Sequence, residues 1–262
     1  MSSKLPRTVQ REIQAILAAR QEDTARIRAE AARLAEEWAE QQRWDLLCRA
    51  RDGMGCRGDT VVRLPDGREV TIPCPLADSL CPPRRRALLV SLGFGPRYAD
   101  PTRERMLPVI GEAVDLFLAK LDENLAAGKG LWLAGPVGVG KTAALAYIAA
   151  LAWSPKRVVL YRTAPELFDQ LAHEGITDAL RECPLLMVDD LGTEYDANWP
   201  LSRFTQLMDW RWRFRKSVCV TSNLMPAQLA RDERWQRVMS RWRATVTAYW
   251  QDGEDMRRPE ND

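Results

Sequence analysis

The 262-residue chain contains no apolar run that approaches the ~18 residues of a membrane span. Its first residues are polar and charged where a secretory signal is apolar, so the expectation is a soluble, cytoplasmic protein with no membrane partner. An excess of one charge sign is lacking as well. With 38 Lys and Arg against 36 Asp and Glu the net charge is +2, which neither demands nor excludes nucleic acid and makes any basic face a local feature. A disulfide framework is not expected, because cytosolic thiols stay reduced. The six cysteines also lack the C-x2-C pairs of a strong zinc signature. Four of them, Cys48, Cys56, Cys74 and Cys81, nevertheless fall within 34 residues, spaced C-x7-C and C-x6-C, whereas Cys183 and Cys219 sit at apolar strand candidates and read as core.

What the chain does contain divides it in three. Residues 7 to about 50 read as helical: Ile13, Ile16 and Leu17 keep helical spacing, and Ile27, Ala31, Leu34 and Trp38 resume a stripe on a surface crowded with Arg and Glu. Such a stripe serves a solvated helical hairpin or a docking arm for a partner. A hairpin follows, Thr60–Leu64 and Arg68–Ile72 joined by Pro65-Asp66-Gly67 and bracketed by the four cysteines, which is how a structural Zn2+ site is built; free thiols around a small hairpin are the other reading. Residues 1–87 are therefore expected as a helical and zinc-binding docking domain and 88–104, rich in turn residues, as a linker. Residues 105–262 form the third part. After a helical stretch from Arg103 to about Ala127, strand-like runs (131–134, 158–161, 185–188, 218–221, 245–250) alternate with helix-like ones, the pattern of a parallel sheet covered by helices on both faces.

Between the first run and its helix stands Gly135-Pro136-Val137-Gly138-Val139-Gly140-Lys141-Thr142, which reads G-x-x-x-x-G-K-[ST]. The glycines let successive backbone N–H groups turn toward phosphate oxygens, the lysine reaches the β and γ phosphates, and the threonine hydroxyl ligates Mg2+. With Ala143 in the first helical turn, this segment predicts the cradle of a nucleoside triphosphate. Leu185-Leu186-Met187-Val188 ends in two carboxylates. Asp189 is the candidate Mg2+ acid, and Asp190 the group that orients or deprotonates the attacking water. Val218-Cys219-Val220-Thr221-Ser222-Asn223 repeats the form with an amide, and Asn223 is placed to hydrogen-bond the γ phosphate and that water. Arg241, near the end of a downstream helix, is either a solvated surface arginine or one supplied to a neighbouring subunit's phosphates. Arg211, Arg213, Arg215 and Lys216 make a basic helix end that suits DNA or the helix dipole equally. Trp210, Trp212, Trp235 and Trp242 suit base stacking or a subunit interface.

Over residues 88–258 the chain resembles the DnaC/DnaI group of bacterial helicase loaders among the AAA+ ATPases. The resemblance is carried by Gly93-Phe94-Gly95-Pro96-Arg97-Tyr98, the P-loop, Asp189-Asp190-Leu191-Gly192-Thr193-Glu194, Trp199, Trp210-Arg211-Trp212, Thr221-Ser222-Asn223-Leu224, Ser240-Arg241 and Gly253-Glu254-Asp255-Met256-Arg257. It implies an α/β AAA+ core without a helical lid, ATP and Mg2+ as cofactors, and Arg241 acting in trans within a homo-oligomer. It further implies a hexameric replicative DNA helicase and single-stranded DNA as partners, with a zinc-binding N-terminal region in DnaI-like members. Two alternatives remain: a transposition helper ATPase of the IstB type assembling on duplex DNA, and a structural adaptor whose assembly ATP controls.

Overall fold

The structure, a computed structural model, describes residues 7–41, 43, 58–76, 81–154, 157–192 and 198–256, with side chains in the first helix from residue 21 and in the helix at 198 from residue 201. It divides into two compact units, Met1–Ala87 and Leu88–Asp262. No helix among the described residues is long and apolar enough to cross a membrane.

In the first unit, helix α1 (Arg7–Glu40) is followed by the antiparallel strands β1 (Asp59–Arg63) and β2 (Glu69–Pro73), paired Val62 to Val70. Their turn closes because Asp66 accepts the Arg68 amide at 3.0 Å while Gly67 takes φ +84°, a conformation that glycine reaches without strain. Ala31 and Ala35 of α1 are buried with Val62, Leu64 and Ile72 of the hairpin, and Ile27, Leu34 and Trp38 flank them. The stripe of this half of α1 thus lies on the hairpin. The two small alanines let the hairpin approach the helix closely. Cys74 is half-buried and Cys81 buried, neither in a disulfide among the described residues, whereas Cys48 and Cys56 lie outside them.

The second unit is built on a five-stranded, all-parallel sheet in the order β4-β5-β6-β3-β7: β4 (Val159–Thr163), β5 (Leu185–Leu191), β6 (Ser217–Ser222), β3 (Gly130–Ala134) and β7 (Val246–Trp250). A parallel sheet buries both faces, which is why its central strands are nearly unbroken apolar runs. Alternation along β3 sorts the two cores. Leu131 and Leu133 pack with Ile110, Val114 and Phe117 of α3 (Pro108–Ala119) and Leu145 and Ile148 of α5 (Lys141–Ala152), the short α4 (Leu121–Ala126) standing between β3 and α3 in sequence. Trp132 and Ala134 face the other way. They join Leu167 of α6 (Ala164–His173), Leu180 of α7 (Asp178–Glu182) and Phe204 of α8 (Asn198–Arg213), with Leu229 of α9 (Pro226–Leu229) and Trp235 of α10 (Glu233–Trp242) beside them.

Two expectations about the approach to this sheet change. Residues 88–104 contribute Leu89, on a helix α2 (Pro82–Leu92), and Phe94 to the first core, because Phe94 stacks on Tyr161 with ring centroids 3.8 Å apart. The helix expected from Arg103 begins at Pro108, since proline favours the first helical position and holds Leu107 extended at ψ 159°.

Candidate nucleotide site

The P-loop bends between β3 and α5. Gly138 and Gly140 adopt φ +90° and +96°, where L side chains are strained. A Cβ at Gly140 would stand 2.3 Å from the Arg105 carbonyl oxygen, and one at Gly138 2.5 Å from the Asp255 Cα. Conformation and crowding therefore both demand glycine. The first turn of α5 directs its amide dipoles at the bend, which makes it an anion site. The Lys141 ammonium is buried and donates to the carbonyls of Gly135 and Pro136, each at 2.8 Å, and to Asn223 Oδ1 at 2.9 Å.

Three adjacent strands converge on Asp189, which is 5% exposed. Its Oδ1 accepts the Thr142 hydroxyl at 3.2 Å and the Thr221 hydroxyl, and its Oδ2 accepts the Tyr161 hydroxyl at 2.9 Å. Burial pushes the carboxyl pKa above its ordinary value, and the bonds from Thr221, Tyr161 and Thr142 pull it back. Burial, followed by the Asp189 charge, raises the Tyr161 phenol far above its usual range, so it remains a donor. Asp190 takes φ +60°, which Asp tolerates, and its amide donates to Thr221 Oγ1 at 2.8 Å. That reversal leaves Asp190 exposed directly beside a buried neighbour.

Lys141, Thr142, Asp189, Asp190, Thr221 and Asn223 border one open cavity of about 1130 Å3, which Pro96, Arg97, Tyr98, Glu104, Arg105 and Met256 also line. Its size suits a nucleoside triphosphate. Thr142 and Asp189 offer two hard oxygens at adjacent positions, the donor type that Mg2+ combines with water and phosphate oxygens, so the residues present fit the metal as well. Lys141, Thr142, Asp189, Asp190 and Asn223 are thus brought together. Arg241 is not. It lies between Asp209, whose Oδ1 accepts its Nε at 3.2 Å, and the Trp212 ring, 4.9 Å from the guanidinium carbon.

Sequence reasoning overlooked Tyr161, and the signal was there: a tyrosine ending an apolar strand has to find an acceptor for its hydroxyl. Other expectations are corrected. Arg211 is fully buried, its guanidinium donating to the carbonyls of Leu180 (2.8 Å), Cys183 (3.0 Å) and Ser217 (2.6 Å), so it is no DNA contact. Trp235 and Trp242 are core residues, Trp242 packing edge-on to Trp132, and neither offers a face to a base. Trp210 is covered by Phe214 at 4.2 Å and by the guanidinium of Arg181. Zinc is not supported: among the described residues, which include Cys74 and Cys81 but not Cys48 and Cys56, no group of three or more His, Cys, Asp or Glu able to hold a metal occurs. Residues 193–197 and 257, and the Trp199 side chain, lie outside the description.

Strand order, P-loop, terminal acid and terminal amide together define a AAA+ type P-loop core. Solved structures agree. The chain is similar to DnaI, with 25% identity over 62% of this chain and 94% of that one at a TM-score of 0.52, and to a DnaC helicase loader, with 21% identity over 60% and 99% at 0.50. Both belong to the DnaC/DnaI group that its motifs resemble. No family model and no curated protein matches the sequence.

Proposed function

We propose that the chain hydrolyses ATP and uses the cycle to place a hexameric replicative helicase on single-stranded DNA. The observation that carries the chemistry is the meeting of Lys141, Thr142, Asp189 and Asn223 at one cavity. Lys141 neutralises the β and γ phosphates, and Thr142 and Asp189 would hold Mg2+, which would supply charge neutralisation when bound. Asp190 orients or deprotonates the attacking water, and Asn223 hydrogen-bonds that water and the γ phosphate. Pro96, Tyr98 and Met256, which line the same cavity, take the base and sugar. Arg241, held apart from its own cavity, completes the site of a neighbouring copy and makes assembly a condition of turnover. The helicase reading is supported by the likeness to the DnaC helicase loader; residues 1–87 are the docking part on this reading.

The test is co-purification of the full chain with its host's replicative helicase under ATP, beside titrations of single-stranded and duplex DNA at stated salt. Complex formation with preference for single strands is expected. No complex under ATP refutes the loader reading, and preference for duplex DNA supports a transposition helper instead.

A further inference from the structure

Phe94 and Gly93, in the turn that opens the second unit, serve no phosphate or metal, yet both pack on a single ring. Phe94 stacks on Tyr161 at 3.8 Å and 29°, and a Cβ built at Gly93, which itself takes φ +105°, would meet Tyr161 Cδ1 at 3.6 Å. The ring so seated carries the hydroxyl that bonds Asp189 Oδ2 at 2.9 Å. The opposite oxygen, Oδ1, is the one that faces Thr142 at 3.2 Å. A carboxylate gripped at both oxygens cannot rotate without breaking a bond, so Tyr161 on Oδ2, together with the Thr221 hydroxyl on Oδ1, fixes the direction in which Oδ1 points.

We propose that Tyr161 is the positioning residue for the metal-holding carboxylate, and that Gly93 and Phe94 exist to seat it. Groups of this kind behind a metal ligand are typically worth 10–100-fold in metal affinity or activity, and because this bond goes to Asp189 and not to the P-loop, metal-free nucleotide binding is expected to stay unchanged. The inference rests on the ATP reading above. The probe is a fluorescent ATP analogue, titrated onto the full chain with Mg2+ varied and again in EDTA. Tyr161→Phe keeps the ring and loses only the donor. It is expected to raise the Mg2+ concentration for half-maximal binding about tenfold while affinity in EDTA stays unchanged. Phe94→Leu leaves Asp189 and Tyr161 chemically intact and is expected to raise the same midpoint about threefold, by loosening the ring. It decides the matter should Tyr161→Phe fail to fold. A Mg2+ midpoint within twofold of wild type overturns the proposal, and so does an equal loss of affinity in EDTA, which marks a merely structural role. A wild-type chain that binds no analogue under any condition removes the ATP reading itself, an outcome seen before any variant is made.

Discussion

Arg211 offers the sharpest separation of scaffold from nucleic-acid contact. It sits in a run of basic residues at the end of α8, yet none of its surface reaches solvent. Burial pulls the guanidinium pKa below its ordinary value, and the charge is met by carbonyl dipoles and the Cys183 sulfur at 3.1 Å. In Arg211→Met the carbonyls of Leu180, Cys183 and Ser217 lose their donor. Each orphaned buried acceptor costs about 1–3 kcal/mol, so the gross loss is about 3–9 kcal/mol. Against this, a charge no longer has to be desolvated, a term of several kcal/mol in the opposite direction, and Met fills much of the space. A net destabilisation of about 2–4 kcal/mol follows. Urea denaturation reads it as a midpoint lowered by about 1–2 M at unchanged slope. Arg213→Ala, on the exposed face of the same turn, is the control and should stay within about 0.5 kcal/mol of wild type. Single-stranded DNA affinity of folded Arg211→Met should equal that of wild type. The reasoning fails if Arg211→Met is as stable as the control, or if the folded variant loses DNA affinity.

Asp189→Asn should raise the melting temperature of the nucleotide-free chain near neutral pH. Burial raises the folded-state pKa, so the carboxyl favours folding most at low pH and loses that contribution as pH climbs through the folded value. The gain should shrink toward acid pH, and the shift given by MgATP should fall to that given by ATP in EDTA; a lower neutral-pH melt contradicts the account. Asp190→Asn should cut phosphate release about 100-fold or more at retained nucleotide affinity, and unchanged release would remove Asp190 from the chemistry. Arg241→Ala should lose about 1000-fold in turnover. Mixing it with Asp190→Asn should restore part of that loss, because one class of mixed interface keeps both groups. Absence of any restoration would place Arg241 outside the site.

The parts of this molecule that the sequence displays are those written consecutively. The P-loop spans eight neighbouring residues, and its neighbours β3 and α5 follow the expected pattern of apolar run and helix. Burial of the tryptophans was also readable. Trp235, Val238, Met239 and Trp242 keep the i, i+3, i+4, i+7 spacing of a core-facing stripe, and all four are buried. Arg211 extends the same kind of stripe from Phe204, Leu207 and Met208, so its position foretold burial although its charge argued for solvent.

Contacts between strands are a different matter, because strand order is not written along the chain. Tyr161, Asp189 and Thr221 belong to three strands that become neighbours only when β5 is laid between β4 and β6, with Thr163 opposite Asp189. That arrangement holds the carboxylate from both flanking strands and from α5 within a single copy. Arg241 has no such link to its own cavity, being fixed between Asp209 and Trp212 on the α8–α10 side. On the proposed reading, then, the half of the site that binds nucleotide is rigid before assembly, and only the half that turns it over awaits a second copy. Nucleotide affinity should accordingly be independent of protein concentration while turnover per chain rises with it; parallel concentration dependence of the two would contradict this division.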